Sequence, residues 1–249
     1  MLGAARLAGW PSRDCGVARP VGQGAHPSFL GWTEGTALRT VQRKAAEAVG
    51  VMARSGDEIE HPVTGERVVW RSVAEDTGGD LLELELFAQP GGFVAAAHVH
   101  PNQEERFEVV SGTLAMLVDG EERTLRPGDM AVVPPGRPHA WWNAGPDEVR
   151  IKGEIRPALR TEHFFETFFG LGKDGKTNRK GLPNPLQLAV LMREYEDEMR
   201  LAKPAFAIQR MLFTPLALIG RALGYRSRYP HHSAAAQPVQ AGDTQEPEA

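Results

Sequence analysis

The sequence predicts a mainly β protein, a jelly-roll barrel followed by C-terminal α-helices. Three observations lead there. Between residues 66 and 156, short apolar runs recur at even intervals with glycine- and proline-rich turns between them. Within the runs the period is two: Leu82, Leu84 and Leu86 alternate with Glu83 and Glu85, so one face is apolar and the other wet. After Pro157 the apolar period lengthens to about three and a half, the spacing of one helix face.

Residues 1–51 mix Gly, Pro, Ala and Arg without a sustained strand pattern, so they are expected to be disordered, with only 37–49 able to turn helical. The character changes at Met52, which also reads as a second candidate translation start. The barrel is expected over 52–156. Two strand-like pieces flank the turn Pro62-Val63-Thr64-Gly65, and further runs cover 93–100, 105–112, 113–119, 121–125, 130–134, 139–143 and 148–155. Pro90-Gly91-Gly92, Asp119-Gly120, Pro127-Gly128 and Pro134-Pro135-Gly136 mark turns between them.

A helical extension is expected over 157–229. Thr161 is a candidate cap for a helix whose Phe164, Phe165 and Phe168 share a side. Asn184 followed by Pro185 starts a second helix, apolar early and charged late, that runs to Leu201 before Pro204. The stretch 205–225 is the most apolar, though Arg210 and Pro215 interrupt it. It reads as a helix packed on the barrel or on a second subunit, with a homodimer the expected assembly; contact with a membrane surface ranks behind that. The tail 230–249 is expected to be disordered.

Composition narrows the function classes. Hydrophobic residues make up 41% and charged residues 24%, as in ordinary globular proteins. The formal charge of -4, without a basic cluster on one segment, argues against nucleic acid as the main partner and leaves a small molecule as the default. A single cysteine, Cys15, excludes a disulfide framework and a thiolate metal site. No uninterrupted apolar run is long enough for a membrane span, and a cytoplasmic location is expected.

The chemistry gathers at four residues. His98 and His100 are two apart, so on a strand they face the same way; Glu105 lies on the next strand, and His139 on a separate strand after the Pro134-Pro135-Gly136 turn. Three imidazoles and one carboxylate around a divalent ion that prefers six ligands leave two positions open for water, dioxygen or a chelating substrate, as catalytic sites do. With 8 His in 249 residues, three preset His positions coincide with a chance of about 3 in 10⁵, so coincidence is set aside. By strand parity Phe107, Met116, Val132 and Trp141 are candidates for the pocket wall, each also readable as plain core. Asn143 reads as a turn or supporting hydrogen-bonder. Arg106 and Glu108 belong on the outside, and solvent exposure is the stronger reading for His61, His163, His231 and His232.

The spacing Gly92, His98, His100, Glu105, Gly112, followed by Gly128, Pro134, Gly136, His139, Asn143, resembles the two motifs of the cupin superfamily, in particular small single-domain bacterial cupins. The resemblance covers roughly 66–156. It implies a double-stranded β-helix with one metal inside, Fe(II) first and Mn, Ni or Zn as alternatives. It further implies an oxidoreductase of dioxygenase type acting on a small organic molecule. Cupin isomerases and decarboxylases, and non-catalytic metal- and ligand-binding cupins, share such a site and stay open as alternatives.

Overall fold

The computed structural model describes residues 53–233; the expectations for 1–51, for Met52 and for the tail beyond Ser233 lie outside them. Ten strands follow one another before the first helix: β1 (Glu58–His61), β2 (Glu66–Ser72), β3 (Leu82–Ala88), β4 (His98–Val99), β5 (Glu104–Ser111), β6 (Leu114–Val118), β7 (Glu121–Leu125), β8 (Met130–Val133), β9 (His139–Asn143) and β10 (Val149–Arg156). Helices α1 (Thr161–Lys173) and α2 (Pro185–Glu194), strand β11 (Arg200–Leu201) and helix α3 (Phe206–Ala222) follow among the described residues, with a short 3-10 turn at Pro230–His232.

The strands form two antiparallel sheets, β1-β2-β3-β10-β5-β8 and β11-β4-β9-β6-β7. That order is the antiparallel jelly-roll arrangement: from β3 to β10 each strand crosses to the other sheet except within the β6-β7 hairpin, while β1, β2 and β3 follow one another in the larger sheet. Inward positions follow the two-residue period: Val68 and Trp70, Leu82, Leu84 and Leu86, Phe107 and Val109, and Val149, Ile151 and Ile155 are buried in one core. Burying these side chains, at about 1.5–3 kcal/mol each, is the main force closing the sheets on one another.

Asn143 is the hinge of the second motif. Its side-chain amide donates to the carbonyls of Ala88 and Asp147, and its oxygen accepts from the Gly145 amide, so it joins β9 to the end of β3. Gly112 turns the chain between β5 and β6 at φ 80°, and a Cβ there would sit 2.7 Å from the Val149 Cα, so both conformation and space demand glycine.

The run 93–100 is only partly a strand. Phe93 bridges Trp142, the chain leaves the sheet through Ala95–Ala97, and pairing resumes at His98. Asn184 caps α2 as expected, accepting from the amides of Leu186 and Gln187. Thr161 does not cap α1; its hydroxyl accepts from the buried Gln103 amide at 2.8 Å. The second helix stops at Glu194 rather than Leu201, because Arg200 and Leu201 pair with Val99 and His98 on the edge of the smaller sheet. Pro215 stays inside α3, which runs unbroken to Ala222 and packs on α2 through Ala217 and Gly220 against Ala189 and Val190.

Candidate metal centre

All four candidate ligands meet at one point. His98 and His139 are directly paired across β4 and β9, while Glu105 faces them from β5 on the larger sheet. His100 leaves β4 and is held by the turn at Pro134-Pro135-Gly136, where the Gly136 amide, at φ 81°, donates to the His100 carbonyl at 2.8 Å. One ligand atom from each of the four residues lies within 4.8 Å of the others. Glu105 Oε2 is 2.9 Å from His139 Nε2 and 3.4 Å from His100 Nε2.

The outer nitrogens determine which atoms face inward. His98 Nδ1 lies 3.0 Å from the Ala96 carbonyl, His139 Nδ1 3.1 Å from that of Arg137, and His100 Nδ1 2.7 Å from that of Glu198. A carbonyl only accepts, so each Nδ1 carries the proton and each Nε2 presents a lone pair to the centre. Burial, reinforced by the neighbouring imidazoles, holds His98 well below its ordinary value, and burial lowers His100. Burial also opposes charge on His139 and Glu105, but the Glu105 carboxylate prevails in raising His139, and the His100 and His139 imidazoles prevail in lowering Glu105. Glu105 Oε2 and His139 Nε2 are buried and, despite their closeness, not aligned as a hydrogen bond. Inward lone pairs beside a buried carboxylate are a donor set that fits a divalent cation.

The cluster opens into an apolar cavity. Glu105, Phe107 and Ile155 from the larger sheet, His98 and Trp141 from the smaller, and Val94 from the segment before β4 line it. Helix α1 adds Phe164, Phe165, Phe168 and Phe169, and Leu188, Met192, Met199 and Leu201 complete the apolar lining. Gly153 lines the cavity between Leu84 and Phe107, its register neighbours; its φ is not positive, and a Cβ would lie 2.9 Å from Leu84 Cδ1. The absent side chain therefore serves space rather than backbone conformation.

Two of the four expected wall residues, Phe107 and Trp141, line this cavity. Met116 pairs with Trp141 and is buried in the core, but it does not reach the cavity. Val132 is a correction: it is 47% exposed, on the outside of the barrel. The β5–β8 register pairs Phe107 with Ala131 and Glu105 with Val133, so Val132 shares the outer face with Arg106. Solvent exposure also fails for His61, His163 and His232, which are buried; only His231 is exposed. His61 packs against Phe168 and Phe169, and His232 seats on Gly170, where a Cβ would sit 2.2 Å from its ring. His232 and His231 both turn Nε2 to Asp174, whose Oδ2 also carries the Lys176 ammonium at 2.8 Å.

Several contributors carry no motif. Glu66 faces the cavity, its Oε2 accepting from the Thr64 hydroxyl at 2.6 Å, and burial raises its carboxyl to about 7. Gln103, fully buried between the ligands in sequence, donates to the carbonyls of Pro157 and Ala158 and so fixes the start of the extension. Arg160 grips the Glu198 carboxylate through Nε at 2.8 Å and that of Glu194 at 3.0 Å, holding the carbonyl that orients His100. Only the two-residue alternation hinted at Glu66; Gln103, Arg160 and Glu198 act across long sequence separations.

Comparison with known proteins agrees with this geometry. Residues 86–152 match the family model described as Cupin domain. A curated relative, quercetin 2,3-dioxygenase of Bacillus subtilis (strain 168), is 34% identical over 95 residues, 38% of this chain and 28% of that enzyme. This chain therefore matches little more than a quarter of that relative's length. Among solved structures, KdgF from Halomonas sp. is 24% identical over 37% of this chain and 81% of its own, with a TM-score of 0.34. A predicted oxalate decarboxylase from Thermotoga maritima is 18% identical over 43% of this chain and 99% of its own, with a TM-score of 0.38. The family match falls on the strands that carry the four ligands, and residues 86–152 form a cupin domain, with a C-terminal helical extension following the barrel.

Proposed function

We propose that this protein is a mononuclear metal-dependent oxidoreductase of dioxygenase type, using Fe(II) before Mn, Ni or Zn, and acting on a small, largely apolar organic molecule. The observation that carries it is that His98, His100 and Glu105 of the three-imidazole, one-carboxylate cluster line the same cavity as Phe164, Phe165, Phe168 and Phe169. The partial likeness to quercetin 2,3-dioxygenase supports the reaction class.

His98, His100, Glu105 and His139 would hold a divalent ion, which would supply Lewis-acid and redox chemistry to the cavity. The chain's own residues do the rest. The carbonyls of Ala96, Arg137 and Glu198 keep the three Nε2 atoms aimed at the centre. The phenylalanine wall excludes water and favours an apolar, planar substrate. Glu66 gives that cavity a carboxyl able to donate a hydrogen bond near neutral pH, suited to a substrate oxygen.

The test is oxygen consumption by Fe(II)-loaded protein offered catechols, thiols and flavonoid-like chelators. Uptake that depends on one of them, and that His98→Ala abolishes, is the expected result. Silence across the panel with tight metal binding intact would instead favour a binding cupin or a non-oxidative reaction at the same centre.

A further inference from the structure

Helix α3 is apolar on two faces. Inward, Gln209, Ala217 and Gly220 are buried, with the Gln209 amide donating to the carbonyls of Leu201 and Pro204, and Phe213 and Leu216 pack partly buried beside them. Its other large apolar side chains point outward. Ile208, Met211, Leu212, Leu218 and Ile219 are exposed by 45% to 68%, and Leu223 just beyond the helix by 67%. With Pro215 and Ala222, also exposed, they recur at three- and four-residue steps and form one stripe about 140° wide. Soluble surfaces rarely present such a stripe without a partner.

Charge selects the partner. From Met199 to Tyr229 the chain carries Arg200, Lys203, Arg210, Arg221, Arg226 and Arg228 and not one Asp or Glu, in a protein whose formal charge is -4. Arg210 and Arg221 are both exposed on the flank between the stripe and the α2 contact, with Arg221 paired to the Glu194 carboxylate at 2.7 Å. Arg193, from α2, stands near them and pairs with Glu196; burial lowers its pKa, and repulsion from Arg210 and Arg221 lowers it further. An anionic surface would attract this excess of cations. No helix of the described residues is long and apolar enough to cross a membrane, so α3 would lie on one.

We propose that α3 is a membrane-docking helix that seats Ile208, Met211, Leu212, Leu218, Ile219 and Leu223 in an anionic lipid surface, with Arg210 reaching the headgroups. The test is co-sedimentation of the full-length chain with phosphatidylcholine vesicles, with and without phosphatidylserine. Binding is expected to the phosphatidylserine vesicles, to weaken as salt rises, and to be lost in Leu212→Glu/Leu218→Glu, whose substituted positions are exposed and whose melting curve should match the wild type. Arg210→Gln should weaken binding about fivefold. The proposal is overturned if the full chain binds neither vesicle, or binds both equally. It is also overturned if light scattering shows a dimer that Leu212→Glu/Leu218→Glu dissociates, since the stripe then meets a second copy.

Discussion

His100 Nδ1 lies 2.7 Å from the main-chain carbonyl of Glu198, which stands 98 residues further along the chain. A ligand of the barrel is thus oriented by the helical extension. Arg160 is the clamp behind this contact, bonding the Glu198 carboxylate and packing over the Tyr195 ring. Arg160→Met should leave the four ligands in place yet lower metal affinity about tenfold, the usual effect of losing an outer-shell support. Competition against a chromogenic chelator measures it, and unchanged affinity would separate the extension from the metal site.

The ligands themselves predict a sharper loss. Protein purified without added metal is expected to carry one divalent ion per chain, and His100→Ala and Glu105→Ala to retain less than about a tenth of it. Because an ion binds only the folded chain, saturating metal at about a hundred times Kd should stabilise the wild type by about 2.7 kcal/mol, and these variants hardly at all. Elemental analysis with paired thermal melts reads both. Full metal content in either variant would remove the basis for the centre.

Glu66 predicts a pH dependence of stability. Burial raises its carboxyl from 4.5 to about 7, so across that window the folded chain keeps a proton that the unfolded chain has released. Its contribution to stability is therefore full below pH 4.5 and declines as pH rises to about 7. Glu66→Gln, which preserves a partner for Thr64, should gain up to about 3 kcal/mol over the wild type on going from acid to neutral pH. Urea titrations at several pH values test this; a constant offset between the two proteins would contradict it.

His163 works in the opposite sense. Burial, aided by Arg228 and Arg160, lowers it from 6.5 to about 4, so the unfolded chain takes up a proton first as pH falls. Stability contributed by the neutral ring is present above 6.5 and is lost as pH drops toward 4. His163→Gln should flatten that acid limb, seen as a smaller shift of melting temperature between neutral and mildly acidic buffer. An unaltered acid limb would count against a buried neutral ring.

Asn143 predicts a plain structural cost. Its three main-chain hydrogen bonds are broken in Asn143→Ala, leaving buried polar groups unpaired at the junction of β9 and β3. A loss of about 2 kcal/mol or more is expected in urea denaturation, with metal content per folded chain unchanged.

Much of this protein is legible in its residue order because the relevant forces are local or periodic. Strand alternation sets which residues point inward, Asn184-Pro185 caps α2, and the spacing of His98, His100, Glu105 and His139 identifies a donor set before any coordinates are known. Parity fails where register matters: Val132 reads as wall until the β5–β8 pairing places it beside Arg106 on the outside. Only the tertiary structure decides that Leu201 pairs with His98, that Glu198 orients His100, and that four phenylalanines of α1 line the same cavity as the metal ligands. It alone also shows that α3 turns its apolar stripe outward. A helical period reveals that one face is apolar, but which face meets the core depends on the surfaces that fold against it, and α2 offers Ala189 and Val190 to the face of α3 that carries Phe213, Leu216 and Ala217.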